Sequence, residues 1–304
     1  MNFRFLLAVA ATWVVALASS APAAAQTYPD IVELSPEAGA LIADEAFYLP
    51  QSDWRLRRSD AGCSVRRDFA LGDERITFIM RRLQPGLPVQ YALFGTEFSV
   101  DEPVEAGFIP GSGIARYTRL AEASIGGRDG FVYAGLPFPV PQGESRANES
   151  SLTPEAQFYV IQGEESDPIV LRTGPMGNVL NMLAECAIEG LINLGVDMRG
   201  PNAPAQSPRL MNNDEFHARL RVAYPGGAVR DGRQGPVLVR AIVGPDGTVT
   251  HCHIASYLTA RVLREAACET MREYGEFEPA LDNNGDPTTG YHLQRIIFYI
   301  DRGY

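Results

Sequence analysis

The side chains best suited to covalent chemistry are four cysteines, Cys63, Cys186, Cys252 and Cys268. None stands in Cys-x-x-Cys spacing, which argues against thiol exchange as an activity. In an exported chain, four such residues invite structural bridges, with three connectivities open to them. Pairing within each half of the chain is the simplest choice, Cys63 with Cys186 and Cys252 with Cys268. The second pair also has a local reason. Cys252 and Ile254 alternate onto one face of a strand, and Cys268 lies on the following helix among the core candidates Leu263 and Met271. A helix packed on its own sheet brings those sulfurs together. The plainer reading, small buried thiols, stands against it.

Other constellations weaken on inspection. His251 and His253 alternate on one strand and His292 lies on another, as a small metal site would need. However, Cys252 faces the opposite side and no acid falls at ligand spacing, so solvent-facing strand histidines are the expectation. Asp282-Asn283-Asn284-Gly285-Asp286 resembles the opening of a calcium loop, but the position where an EF-hand needs Glu is Leu293, which leaves a polar turn. Gly111-Ser112-Gly113 lacks a third glycine and opens no helix, which excludes a phosphate loop. No Gly-x-Ser-x-Gly occurs. Asn148-Glu149-Ser150 is an acceptor only in a eukaryotic secretory route. Arg55, Arg57, Arg58, Arg66 and Arg67 form a basic cluster, read as solvated strand faces, with lipid headgroups as the alternative ligand. The sequence therefore predicts no catalytic residue, no cofactor and no metal. An unrecognised periplasmic hydrolase in the N-terminal part is the least favoured reading.

The net charge is -11, which disfavours a nucleic-acid partner. Met1-Asn2-Phe3-Arg4 gives a basic n-region, Phe5 to Leu17 an apolar core, and Pro22-Ala23-Ala24-Ala25 a small-residue cleavage site. The apolar core is shorter than the ~20 residues of a membrane span. A signal peptide over 1–25 and export to the periplasm are the expectation, with membrane contact only if that segment stays uncleaved.

The elements that must position the cysteines follow from turns and periodicity. Arg75 to Arg81 and Val89 to Phe94 are β-branched and aromatic, separated by Pro85-Gly86-Leu87-Pro88. Ile114 to Leu120, Gly130 to Leu136 and Gln157 to Gln162 continue the pattern, and Asp167 to Leu171 completes a hairpin. Pro137 to Thr153 is loop-rich. Pro175 to Leu194 reads as a helix, with Val179, Leu180, Leu183, Cys186, Ala187, Leu191 and Leu194 at helical spacing and Gly195 as its stop. The whole predicts an α+β protein. Its N-terminal domain, 26–199, is β-rich and closed by one helix that Cys186 staples to Cys63. A Pro-rich linker spans 200–213, its character set by Arg199 to Pro208.

The module over 214–304 is the most ordered text in the chain. Asp214 is read as the cap of a short helix over Glu215 to Val222, ended by Tyr224-Pro225. Two strands meet at Gly244-Pro245-Asp246-Gly247, a turn with Pro and Gly where turn geometry wants them. An amphipathic helix over Thr259 to Tyr274 and a long strand over Thr288 to Ile300 complete a small two-layer sandwich, three antiparallel strands under a helix.

Tyr224-Pro225, Pro245-Asp246-Gly247 before Val249, Ala266-Ala267, and Phe277-x-Pro279-Ala280 before the last strand occur in an order that resembles the C-terminal domain of TonB-family proteins. The Cys252–Cys268 pairing is similar to that of a subset of such domains in exported Gram-negative proteins. The resemblance implies a protein-binding module that lends a sheet edge to an extended segment of an envelope or outer-membrane protein. By position that edge is the last strand, with Tyr291, Leu293, Arg295, Ile297 and Tyr299 as the partner-binding residues. An energy transducer needs a membrane helix with a polar signalling pair and a long Pro-rich spacer. Phe5 to Leu17 holds no histidine and Arg199 to Pro208 is short, so a binding or adaptor protein is the leading expectation and a membrane-anchored transducer the alternative. Ala255-Ser256-Tyr257 and Glu276/Glu278 also depart from the family's Ser-Ser-Gly and basic residues at those places.

Overall fold

The structure is a computed structural model. It describes residues 31–59, 62–85, 89–95, 102–110, 114–118, 120–135, 156–163, 166–255 and 260–300. The expected leader, the Pro137–Thr153 loop and the motifs at 111–113 and 148–150 lie outside the described residues.

Alternating side chains make the N-terminal part a sandwich of two antiparallel sheets. One runs in the order Ile31–Val32, Ile114–Tyr117, Val104–Ile109, Phe158–Gln162, Ile169–Arg172. The other runs Leu49–Pro50, Gly62–Leu71, Glu74–Arg82, Val89–Phe94, Arg128–Gly135, Ala121–Ile125, with Arg55–Ser59 also paired to Gly62–Leu71. Tyr48 stitches their rims, donating its N–H to Val170 O at 2.8 Å and accepting from Arg172 N at 3.0 Å. One residue in two points inward, so Phe69, Ile76, Phe78, Tyr91, Phe108, Phe131 and Tyr159 share one dry core. Its buried hydroxyls are paired where they meet: Tyr133 and Tyr159 hydrogen-bond to each other, and burial pushes both well above the ordinary tyrosine range.

The helix Gly177–Asn193 lays Val179, Leu180, Leu183, Cys186, Ala187 and Leu191 inward, and Cys186 is bonded to Cys63 on the sheet. The strands read from the sequence are all present with shifted ends. The single-helix expectation is not met, because a second helix, Pro36–Ala43, packs on the five-stranded sheet. Its signal was local: Ser35 caps it by accepting from Ala38 N at 3.2 Å, and Pro36 occupies the first turn.

The C-terminal module has the expected order. The central strand Gly235–Val243 lies between Val249–Ile254 and the last strand Gly290–Phe298, all antiparallel. Gly247, with φ 81°, makes the hairpin turn. The helix Arg261–Tyr274 buries Leu263, Ala266, Ala267, Cys268 and Met271. The two alanines leave room for the helix to lie close on the sheet, and Leu263 and Met271 supply roughly 1.5–3 kcal/mol each of burial. Cys268 is bonded to Cys252 across that interface.

Several details differ from the reading of the sequence. Asp214 is not the cap: the helix is Asn213–Val222, with Asn212 at the cap position. Asn212 instead ties two segments together, donating to Tyr274 O at 2.8 Å and accepting from Glu276 N at 3.2 Å. Pro225 does not end the helical region, since a short helix Gly226–Arg230 follows. The Pro-rich stretch is packed rather than loose. Ala205 and Gln206 pair with Leu281 through their backbones, Thr288 donates to Asn202 O at 2.9 Å, and Arg209–Leu210 pairs with Phe277–Glu278.

The sheet face turned away from Arg261–Tyr274 meets the N-terminal sandwich. Arg240 is 3% exposed and donates to Leu83 O at 2.7 Å. Ile242 packs with Leu191 and Val196 from the end of the long N-terminal helix. The signal for this contact was present in Val237-Leu238-Val239-Arg240-Ala241-Ile242-Val243, an apolar run on both faces where a half-solvated strand would alternate.

Candidate protein-binding edge

A strand exposes alternate backbone groups on alternate sides, so the pairing of the central strand decides which groups of the last strand are free. Leu238 O accepts from Ala255 N at 2.7 Å, which points Leu238, Arg240 and Ile242 at the Val249–Ile254 side. Val237, Val239, Ala241 and Val243 therefore aim at the last strand, opposite Ile296, Gln294, His292 and Gly290. The N–H and C=O groups of Leu293, Arg295 and Ile297 consequently point away from the sheet. Among the described residues, no strand pairs with that side.

The side chains flanking this open edge divide by parity. Ile296 and Phe298 are buried under the helix layer, Phe298 meeting Tyr224 edge-on at 5.2 Å. Arg295 is exposed, Ile297 is 59% exposed and Tyr299 67% exposed. An added strand would find a ready row of donors and acceptors, apolar surface at Ile297 and Tyr299, and one cation.

The predicted set is not uniform. Tyr291 is half-buried in the interdomain cluster with Ile242, Leu191 and Val196, and burial raises its hydroxyl pKa against the opposing charge of Arg240. The packed linker also covers the start of the strand. Pro208 O accepts from His292 Nδ1 at 3.0 Å, and a Cβ on Gly290 would lie 2.9 Å from Pro208 Cδ and 2.5 Å from Ala280 Cβ. Of the predicted edge, the stretch from Leu293 through Tyr299 lies beyond these contacts. Pro208 and Asn202 were not foreseen as its boundary, since the contact spans some eighty residues of sequence (|i−j| = 84 for His292 and Pro208).

The histidines do not converge. His251 and His253 stack at 6.0 Å on the sheet face turned towards the N-terminal domain, and His292 lies on the helix side against Phe277. Only His251 fits the solvent-facing expectation, since His253 and His292 are half-buried. Among the described residues no group of three or more ligating side chains comes together. The Asp282 carboxylate is occupied by its own turn, accepting from Asn284 N at 2.8 Å and Asp286 N at 3.0 Å.

Residues 221–300 match the family model described as Gram-negative bacterial TonB protein C-terminal. The resemblance drawn from Tyr224-Pro225, the Pro-Asp-Gly turn and Phe277-x-Pro279-Ala280 is thereby met over this part of the chain. No curated protein and no solved structure matches the chain.

Proposed function

We propose that this is a TonB-like envelope protein, working in the periplasm as a binding or adaptor protein without catalysis. Its C-terminal domain takes an extended segment of an envelope or outer-membrane protein as a fourth strand beside Gly290–Phe298. The observation that carries the reading is the parity of that strand, which leaves the backbone of Leu293, Arg295 and Ile297 facing outward. Main-chain pairing supplies affinity in this mode, and pockets for alternate side chains supply selectivity. Arg295 selects for an acidic residue in the guest strand, and Ile297 with Tyr299 for apolar ones. No helix among the described residues is long and apolar enough to cross a membrane.

The test is a photo-reactive amino acid at Tyr299 in the intact cell envelope, with and without Arg295→Pro. Proline at residue 295 removes an outward N–H that the sheet does not use, so the module stays folded. Crosslinks to one extended segment of an outer-membrane protein, lost in the Arg295→Pro background, are the expected outcome. Crosslinks unchanged by the proline would refute strand addition at this edge. N-terminal sequencing of the exported protein decides its tethering: a start near Gln26 agrees with a released periplasmic protein, and retention of Phe5 with the transducer.

A further inference from the structure

A different surface, on the N-terminal sandwich, carries an unusual charge for so acidic a chain. The register places Arg55 directly opposite Arg66, and Arg57 opposite Ser64, which in turn faces Arg81. Strand alternation sets these side chains on the outer face of the seven-stranded sheet, because Val65, Phe69, Phe78 and Met80 take the inner one. Arg75 and Arg128 lie on the same outer face. Arg128 donates to Thr77 Oγ1 at 2.8 Å, and Thr77 in turn donates to Asp68 at 2.6 Å. Asp68 is the one acid on this face among the described residues, and Arg66 is bonded to it at 2.9 Å. Arg55, Arg57, Arg66, Arg75 and Arg128 thus share this face with one aspartate, in a protein whose acids outnumber its bases 37 to 26.

Two arginines directly across a strand pair repel, and Asp68 is bonded to only one of them, Arg66. Arg55, Arg57 and Arg75 are exposed, and between the charged corners lie the half-buried Ile79, Ala92 and Val132. Neighbouring strands lie ~4.8 Å apart, so the guanidinium groups rise from a broad surface rather than converging on one point. Guanidinium binds phosphate in a two-pronged fashion. We propose that this sheet face docks on an anionic lipid membrane, its arginines on headgroup phosphates and its apolar strip against the lipid surface. Membrane contact would then not depend on an uncleaved leader, contrary to the expectation from the sequence. The overall negative charge makes binding orientation-specific: only this face is attracted, and the rest of the protein is held off.

The experiment uses the chain from Gln26 onward, which keeps every described residue, in co-sedimentation with vesicles of phosphatidylcholine alone or with added phosphatidylglycerol. Wild type is expected to bind only the anionic vesicles, less tightly as salt is raised. Each arginine near such a surface contributes roughly fivefold. The double variant Arg55→Glu/Arg57→Glu should therefore lose at least ~25-fold in vesicle affinity. Its fold should remain intact by circular dichroism, since both side chains are exposed. The control Arg221→Glu/Arg230→Glu makes the same change in net charge on the other domain and should bind like wild type. Equal losses in both variants, or equal binding to neutral and anionic vesicles, would overturn the proposal. So would binding to soluble poly-aspartate with none to vesicles, an outcome that would assign the face to an acidic protein segment.

Discussion

The two domains treat their sheet edges differently. In the N-terminal sandwich the rims are blunted: Ile31–Val32 and Leu49–Pro50 are two-residue strands, the latter containing a proline, and Arg55–Ser59 is an edge strand carrying three arginines. Rims are also stitched together by Tyr48. Such devices prevent unwanted pairing. The C-terminal module instead ends in a nine-residue strand without proline, exposing Ile297 and Tyr299. Among the described residues it is the longest edge strand, longer than Ala121–Ile125 and Val249–Ile254, which also end their sheets.

The largest expected effects come from the disulfides, which hold a helix to a sheet in both domains but close very different loops. Cys63–Cys186 spans 123 residues and Cys252–Cys268 spans 16. The chain-entropy model gives about 5 kcal/mol for the longer and about 3 kcal/mol for the shorter. Cys63→Ala/Cys186→Ala should therefore lower the urea midpoint of the sandwich more than Cys252→Ala/Cys268→Ala lowers that of the module. The reverse order would mean that packing strain, not loop closure, governs these bridges.

A sharper probe of the open edge compares neighbouring prolines. Ile296 points its N–H into the ladder and its side chain into the core at 2% exposure, so Ile296→Pro leaves a buried acceptor without its donor, a loss of roughly 1–3 kcal/mol before any lost core packing. Ile297→Pro loses only an outward N–H and should leave the melting temperature nearly unchanged while abolishing guest-strand binding. Equal destabilisation by the two would show that the assigned parity is wrong.

How much of this was legible depended on whether the cause was local. The Gly247 turn, the helix stop at Gly195 and the alternation that puts Cys252 opposite His251 and His253 are decided by near neighbours, and each was readable. The Arg55–Arg66 apposition requires knowing which strands pair, and the cover of Gly290 and His292 by Pro208 requires knowing where the linker goes. No periodicity encodes either. Leu238 to Val243 is the intermediate case: its two-sided apolarity announced a second buried face without naming the Leu191 and Val196 that fill it.

Asn212 tests whether the linker and the module form one unit. Removing its amide severs the bonds to Tyr274 O and Glu276 N. The carbonyl of Tyr274 is left at the end of the long helix, a loss of roughly 1–3 kcal/mol. Asn212→Ala should lower the module's stability by that amount and speed hydrogen exchange at Glu276 and Met211, whose amide pairs with Glu276 O. Unchanged exchange there would mean that Arg209–Leu210 is held by its own strand pairing alone.

The smallest effect concerns pH and contrasts the turn that leads into the linker with the module's hairpin turn. The carboxyl of Asp197 is held below the usual range first by the backbone N–H of Gly200, with Arg199 and Asn202 adding to it. Asp246 is likewise lowered, first by the Thr248 hydroxyl and then by its N–H. A depressed carboxyl stabilises the fold fully above its unfolded pKa, about 4, and loses that contribution as pH falls through the folded value. Asp246 is exposed and Asp197 lies half-buried at the surface, so the acid-linked loss is small. The urea midpoint of wild type should exceed that of Asp197→Asn by a constant margin above about pH 5, and the two should converge on acidification. Asp246→Asn should show the same convergence, confined to the module's transition. Curves that stay parallel into acid would mean that these turns are set by backbone geometry and that the carboxylates merely follow it.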